Sequence, residues 1–138
     1  MANTEPAALP PYKPTFMSLV TWIVIIGAVV VFLLVKRLSM VSPATARDWL
    51  NKGALVVDVR SEGEFQARHL PRAINLPLDR IGAEIGPRAP DKEQGILLHC
   101  LSGTRSGMAQ AQLKRMGYHH VFNLGSYGRA EKILESQD

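Results

Sequence analysis

Apolar and polar positions divide this chain into one long apolar block followed by a series of short ones. From Phe16 to Val35, twenty residues pass without a charged side chain. As a helix the block spans about 30 Å, the thickness of a bilayer hydrocarbon core, so it predicts a transmembrane helix over residues 16–35. Its β-branched content would also suit a buried strand, but strands run to about five or six residues and this block is far longer. Residues 1–15, rich in proline and alanine, predict a disordered or extended tail. Residues 36–41 read as a linker, and residues 42–138 as one domain of ordinary size.

Short apolar runs alternate with helix-forming stretches through that domain. Ser42-Pro43 is an N-cap with proline at the first helical position, and predicts a helix from Pro43 to Asn51 that stops at Gly53 and covers a sheet with Trp49 and Leu50. Leu55–Val59 is a nearly continuous apolar strand of the kind buried on both faces. Ser61-Glu62-Gly63-Glu64 is a capping box opening a short helix through Phe65. Ala73–Leu76 predicts a strand, Leu78–Ile85 a helix, and Gly86 to Lys92 a loop. The strand Ile96–Cys100 leads through a small, polar loop into a helix from about Arg105 to Gly117. Tyr118–Leu124 predicts a further strand and Tyr127–Ser136 a last helix. Strands alternating with helices imply an α/β domain, a parallel sheet with helices on both faces. Ligands then belong at the carboxyl ends of the strands.

Charge adds orientation and little else. The net charge of +4 arises wholly after Val35, because Glu5 and Lys13 cancel. These charges are interspersed along the domain, which reads as a solvated surface and disfavours a nucleic-acid partner. Lys36, Arg37 and Arg47 follow the apolar helix against Lys13 before it, so the positive-inside rule places the domain in the cytoplasm of a single-pass membrane protein. A cleaved leader is the competing reading, since Ala44-Thr45-Ala46 resembles a cleavage site. The length of the apolar run, the proline-rich lead and the interposed Lys36 and Arg37 oppose it.

Cys100 is the lone cysteine of the 138 residues, which excludes an internal disulfide and favours a reducing compartment. A cysteine at a strand end is often simply buried. Here Ser102, Gly103, Thr104 and Ser106 follow it, residues that suit a loop folded around an anion rather than a core. Inward-turned N–H groups, the positive end of the next helix and the Arg105 cation would all lower the thiol pKa and hold Cys100 as a thiolate nucleophile. Asp58 interrupts its strand and reads as a structural acid satisfied by backbone N–H groups or an arginine. His69 has no second histidine or carboxylate at metal-ligand spacing, and a loop-stabilised thiolate needs no general base, so it too reads as structural. His119 and His120 would face opposite sides of a strand, which disfavours a shared metal.

Cys100-Leu-Ser-Gly-Thr-Arg105-Ser resembles the active-site loop of single-domain rhodaneses, the sulfurtransferases. Leu55-Val-Val-Asp58-Val-Arg60 resembles that family's early strand. Glu64-Phe65-Gln-Ala-Arg-His69-Leu-Pro71-Arg-Ala73-Ile74-Asn75 resembles its Glu-Phe…His-Ile-Pro-Gly-Ala-Ile-Asn signature. Motifs in this order across Ser39 to Leu134 are far more specific than one cysteine loop.

The resemblance implies a rhodanese-like fold and transfer of a sulfane sulfur through a Cys100 persulfide. The donor would be thiosulfate or a persulfide, and the acceptor a thiol or cyanide. Leu101, Ser102, Gly103, Thr104 and Arg105 would bind substrate, with Arg105, Ser102 and Thr104 orienting the departing anion. Asp58, Arg60 and His69 would support the site, and neither metal nor organic cofactor is needed. Gly125-Ser126-Tyr127-Gly128 departs from the family's usual Gly-Gly and Trp and predicts an altered or shortened lid. A cysteine phosphatase or arsenate reductase would place its arginine six positions after the cysteine, where this chain has Ser106. A membrane-tethered binding module without turnover is the other alternative.

Overall fold

The computed structural model describes residues 18–136, so the predicted tail at 1–15 and the start of the predicted transmembrane helix lie outside the described residues. The chain separates into two units, residues 1–34 and 35–138. The first holds most of α1 (Leu19–Leu38), whose apolar side chains are exposed all round and which is long and apolar enough to cross a membrane. Ser18 opens it by accepting a hydrogen bond from the Thr21 N–H at 3.3 Å. Lys36 and Arg37 lie in its last turn, where cations favour the negative helix end. The helix therefore continues three residues into the stretch expected to be linker, because charge ends an apolar run without ending a helix.

The second unit is a four-stranded parallel sheet in the order β2-β1-β3-β4: β1 (Leu55–Asp58), β2 (Ala73–Asn75), β3 (Ile96–Cys100) and β4 (Val121–Ser126). Side chains alternate across it, so each face builds its own core. On one face Val57, Leu98 and Cys100 pack with Ile81 and Ile85 of α4 (Ile81–Arg88) and with Ala109 and Leu113 of α5 (Thr104–Arg115). On the other, Val56 and Leu97 meet Ala46 and Leu50 of α2 (Pro43–Asn51) and Ala130 and Ile133 of α6 (Tyr127–Glu135). The Ser42 N-cap of α2 and the reciprocal Ser61–Glu64 capping box of α3 (Glu62–Ala67) are both formed. β3 is buried along its whole length, as a central strand between two helical layers must be.

Three elements differ from the expectations. α4 starts at Ile81 and runs through Gly86-Pro87 to Arg88. The Leu78 N–H instead extends the β1 pairing by donating to the Val59 carbonyl at 3.2 Å, while complete burial of Ile85 and Ala89 carries the helix past the proline. β4 begins at Val121, because Gly117 at φ +88° turns the Tyr118 N–H back to the Leu113 carbonyl at 3.1 Å. His119 and His120 therefore precede the strand, and both imidazoles approach Glu93, at 3.5 and 3.2 Å, instead of facing opposite ways. Gly125 to Gly128, expected to shape a lid, ends β4 and opens α6, with Tyr127 buried and the guanidinium groups of Arg60 and Arg68 4.7 and 5.0 Å from its ring centre.

Candidate active site

Cys100 closes β3 on the face covered by α4 and α5, and it is fully buried. Its cover does not make it an ordinary core thiol. Gly103, at φ +91°, takes a conformation that L side chains rarely adopt, and so turns its N–H onto Cys100 Sγ at 3.1 Å. Glycine is required there for space as well, since a Cβ would lie 3.1 Å from the Gly125 Cα and 3.2 Å from the Met40 Cε. The sulfur also meets Ser106, buried in the first turn of α5, with its Oγ at 3.6 Å. Burial pushes the Cys100 thiol up, but hydrogen bonds from the Ser106 side chain and from the backbone of Ser106, Ser102 and Gly103 outweigh it and bring the pKa below the ordinary cysteine value.

Asn123 of β4 fixes this cradle from behind. Its Nδ2 donates to the Gly103 carbonyl at 3.1 Å, and its Oδ1 accepts from the Ser106 hydroxyl at 2.7 Å and from the Gly125 N–H at 2.8 Å. The Val41 N–H donates to the Asn123 carbonyl at 2.9 Å. A shift of register between Leu98 and His99 pairs His99 with Gly125 and Cys100 with Ser126, and an isolated bridge joins Ser102 to Ser126. Leu101 and Ser102 are exposed at the loop tip, and Thr104 opens α5 with its Oγ1 accepting from the Ser102 hydroxyl at 3.5 Å.

Arg105 does not face the sulfur as a free cation. Its guanidinium makes a two-pronged ion pair with Glu64 of α3, at 2.7 and 2.9 Å. The Arg105 bonds, with the Ser61 N–H and hydroxyl, hold the Glu64 carboxyl down at about 2. Asp58 is buried and paired with Arg60 at 2.6 Å, Arg60 also donating to the Arg68 carbonyl, so Asp58 and Arg60 tie the end of β1 to the C-cap of α3. Asn75 Nδ2 bonds the carbonyls of both. His69 is exposed just past the end of α3, stacked on Phe65 with its Nδ1 3.0 Å from the Phe65 carbonyl. His99, beneath Cys100 on the opposite face, is fully buried with both ring nitrogens lacking a hydrogen-bond partner. Desolvation lowers its pKa beyond what the Asp58 charge restores, which keeps the imidazole neutral.

Three residues at this site were not singled out as site residues by the sequence. Ser106 reads in the sequence as part of the anion loop and as the position where a phosphatase would carry arginine, but not as a partner of the sulfur. Glu64 was legible as a cap, yet its second partner lies 41 positions away. Asn123 sits in an apolar strand with only its polarity as a signal. Among the described residues no group of three histidines, cysteines or carboxylates is arranged to hold a metal ion.

Comparison with known proteins agrees with this geometry. The chain is 39% identical over 69 residues to the thiosulfate sulfurtransferase PspE of Escherichia coli K12, a match covering 50% of this chain and 66% of that protein, just under two thirds of its length. A solved structure described as a rhodanese with anions from E. coli superposes with a TM-score of 0.52 at 36% identity, covering 54% of this chain and 87% of that one. The human single-domain sulfurtransferase TSTD1 superposes with a TM-score of 0.56 at 26% identity, covering 68% of this chain and 96% of that one. The family model for the rhodanese-like domain matches residues 42–128, the whole span from the N-cap of α2 into α6, and the chain belongs to the rhodanese-like family.

Proposed function

We propose that this protein is a membrane-anchored sulfurtransferase whose nucleophile is Cys100. The observation that carries the reading is the Gly103 N–H, held by a left-handed glycine and aimed at Sγ from 3.1 Å. The Cys100 thiolate attacks the outer sulfur of thiosulfate; an S–S bond forms to Sγ, the bond to the sulfonate sulfur breaks, and sulfite leaves with its electron pair. A persulfide donor reacts likewise and releases a thiolate. The product, Cys100–S–S⁻, keeps its negative charge within reach of the loop N–H groups and the Ser106 hydroxyl, which serve the intermediate as they serve the thiolate. Cyanide or a thiol then removes the outer sulfur and restores Cys100. No metal or organic cofactor enters these steps. Because Cys100 is fully covered, donor entry requires the loop side chains above it to shift.

The phosphoryl alternative needs an arginine where Ser106 stands, and Arg105 is committed to Glu64. For the anchor, the supporting feature is the fate of the possible leader site: Ala44-Thr45-Ala46 lies inside α2, with Ala46 fully buried. Cleavage there would remove the Ser42 cap and the Val41 bond to Asn123. The flanking Lys36 and Arg37 orient the domain to the cytoplasm.

The test is intact mass of the full chain, in detergent, after incubation with thiosulfate or with an organic persulfide, and again after cyanide. A gain of one sulfur that cyanide removes, absent in Cys100→Ala, is expected. A wild-type protein that gains no sulfur from either donor class would make it a binding module, and phosphate-ester turnover would make it a phosphatase.

A further inference from the structure

Resting on the sulfurtransferase reading, we propose that the donor is a small organic persulfide, R–S–SH, rather than the thiosulfate dianion. A dianionic donor calls for cationic recognition, because its leaving group is itself a dianion. Arg105 is the cysteine loop's one cation, and Glu64 neutralises it through two hydrogen bonds. The surroundings of the loop point the same way. Next to it runs an open groove of about 330 Å³ lined by Val59, Ser61, Pro77, Leu78, Asp79 and Arg105. Val59 ties the groove to the nucleophile, since it packs in the same core cluster as Cys100 and its N–H bonds the carbonyl of His99 at 3.0 Å. The groove thus offers three apolar side chains and a carboxylate beside an already paired guanidinium. The residue directly after the nucleophile is Leu101, 61% exposed at the loop tip. Such surroundings suit the carbon-bearing end of an organic persulfide and offer a doubly charged oxyanion N–H and hydroxyl donors, but no cation beyond the Arg105 already paired with Glu64. In the transfer, Cys100 Sγ bonds to the terminal sulfur, the S–S bond of the donor breaks, and R–S⁻ leaves with the electron pair while the terminal sulfur carries its proton to give Cys100–S–SH, so the step needs no oxidant or reductant.

The experiment compares 2-hydroxyethyl persulfide with thiosulfate as donors to the full chain in detergent, reading kcat/KM for each in wild type, Glu64→Gln and Leu101→Arg. Persulfides are intrinsically the more reactive donors, so the readout is the change in the persulfide-to-thiosulfate ratio between proteins. Glu64→Gln releases the Arg105 charge and Leu101→Arg adds a new one, and each should shift the ratio toward thiosulfate by about tenfold or more. The wild-type thiosulfate rate should change little with ionic strength, whereas in Leu101→Arg it should fall as salt screens the added charge. A ratio unchanged in both variants, or a wild-type thiosulfate rate that falls steeply with salt, overturns this inference and leaves sulfur transfer standing. A Cys100 that takes sulfur from neither donor overturns the sulfurtransferase reading as well.

Discussion

Replacing Ser106 by alanine isolates one contribution to the acidity of Cys100. The Ser106 hydroxyl has one hydrogen and two acceptors within reach, Asn123 Oδ1 at 2.7 Å and Cys100 Sγ at 3.6 Å. Asn123 Oδ1 also accepts the Gly125 N–H at 2.8 Å, so it stays satisfied when the hydroxyl turns to an ionised sulfur. For the same reason Ser106→Ala leaves no buried acceptor orphaned, and its effect on folding should be small. A hydrogen bond to a charged group contributes about 1.5–3 kcal/mol, and the long approach to sulfur places this one at the lower end. Its loss should raise the thiol pKa by the amount that this energy represents. The sign follows from the bond favouring the charged form: its loss raises the pKa and thins the thiolate at neutral pH. Ultraviolet thiolate absorbance against pH measures this without demanding reagent access to a covered sulfur, and the chain has one cysteine to report. Persulfide formation at pH 7 should slow in parallel. An unchanged titration midpoint in a folded Ser106→Ala protein would refute the assignment of Ser106 to the sulfur and leave it a tether between α5 and β4.

Gly103→Ala should abolish sulfur loading and lower the melting temperature, because the alanine must either hold φ +91° or swing the N–H off Sγ; a normally active variant would remove the glycine from the cradle. The Glu64–Arg105 pair should outlast ordinary carboxylates on acidification. With the Glu64 pKa depressed to about 2, its contribution to stability is complete above the ordinary value of 4.5 and is lost as pH falls through 2. The difference in melting temperature between wild type and Glu64→Gln should therefore persist at pH 3.5 and shrink toward pH 2; a difference already gone at pH 4 would contradict the pairing. A form beginning at Arg47, as cleavage after Ala46 would leave, loses the Ser42 cap and the Val41–Asn123 bond and should be less stable by about 2 kcal/mol than one beginning at Ser39, read by urea unfolding; equal midpoints would show the segment dispensable.

What the sequence makes legible here is what local chemistry decides. β3 and the loop after it follow from an apolar run meeting Ser102-Gly103-Thr104, and the caps at Ser42 and Ser61 follow from side chains that satisfy N–H groups three residues away. The misread segments are those where two local signals compete. Lys36 and Arg37 end the apolar pattern while suiting a helix C-terminus, and Pro87 reads as a breaker although burial of Ile85 and Ala89 holds its helix together. At Tyr118 to His120 an apolar and aromatic stretch reads as strand, whereas the left-handed turn at Gly117 spends those residues on the approach to β4.

The charge state of the cysteine loop belongs to a different class, because it depends on a partner the loop does not contain. Arg105 beside Cys100 reads as a substrate cation in any local window, and only the return of α3 to the carboxyl ends of the strands brings Glu64 against it. One glutamate therefore closes the capping box of its own helix and neutralises the loop cation, through the same carboxylate: Oε2 accepts from both the Ser61 N–H and Arg105 Nη1. That shared oxygen couples the fold to the chemistry. A mutation at Glu64 disturbs the start of α3 and the field at the sulfur together, whereas Leu101→Arg changes the field alone, from an exposed side chain at the loop tip. If both variants move donor preference in the same direction while only Glu64→Gln lowers the melting temperature, the preference follows the charge presented to the donor rather than the rigidity of the scaffold beneath it.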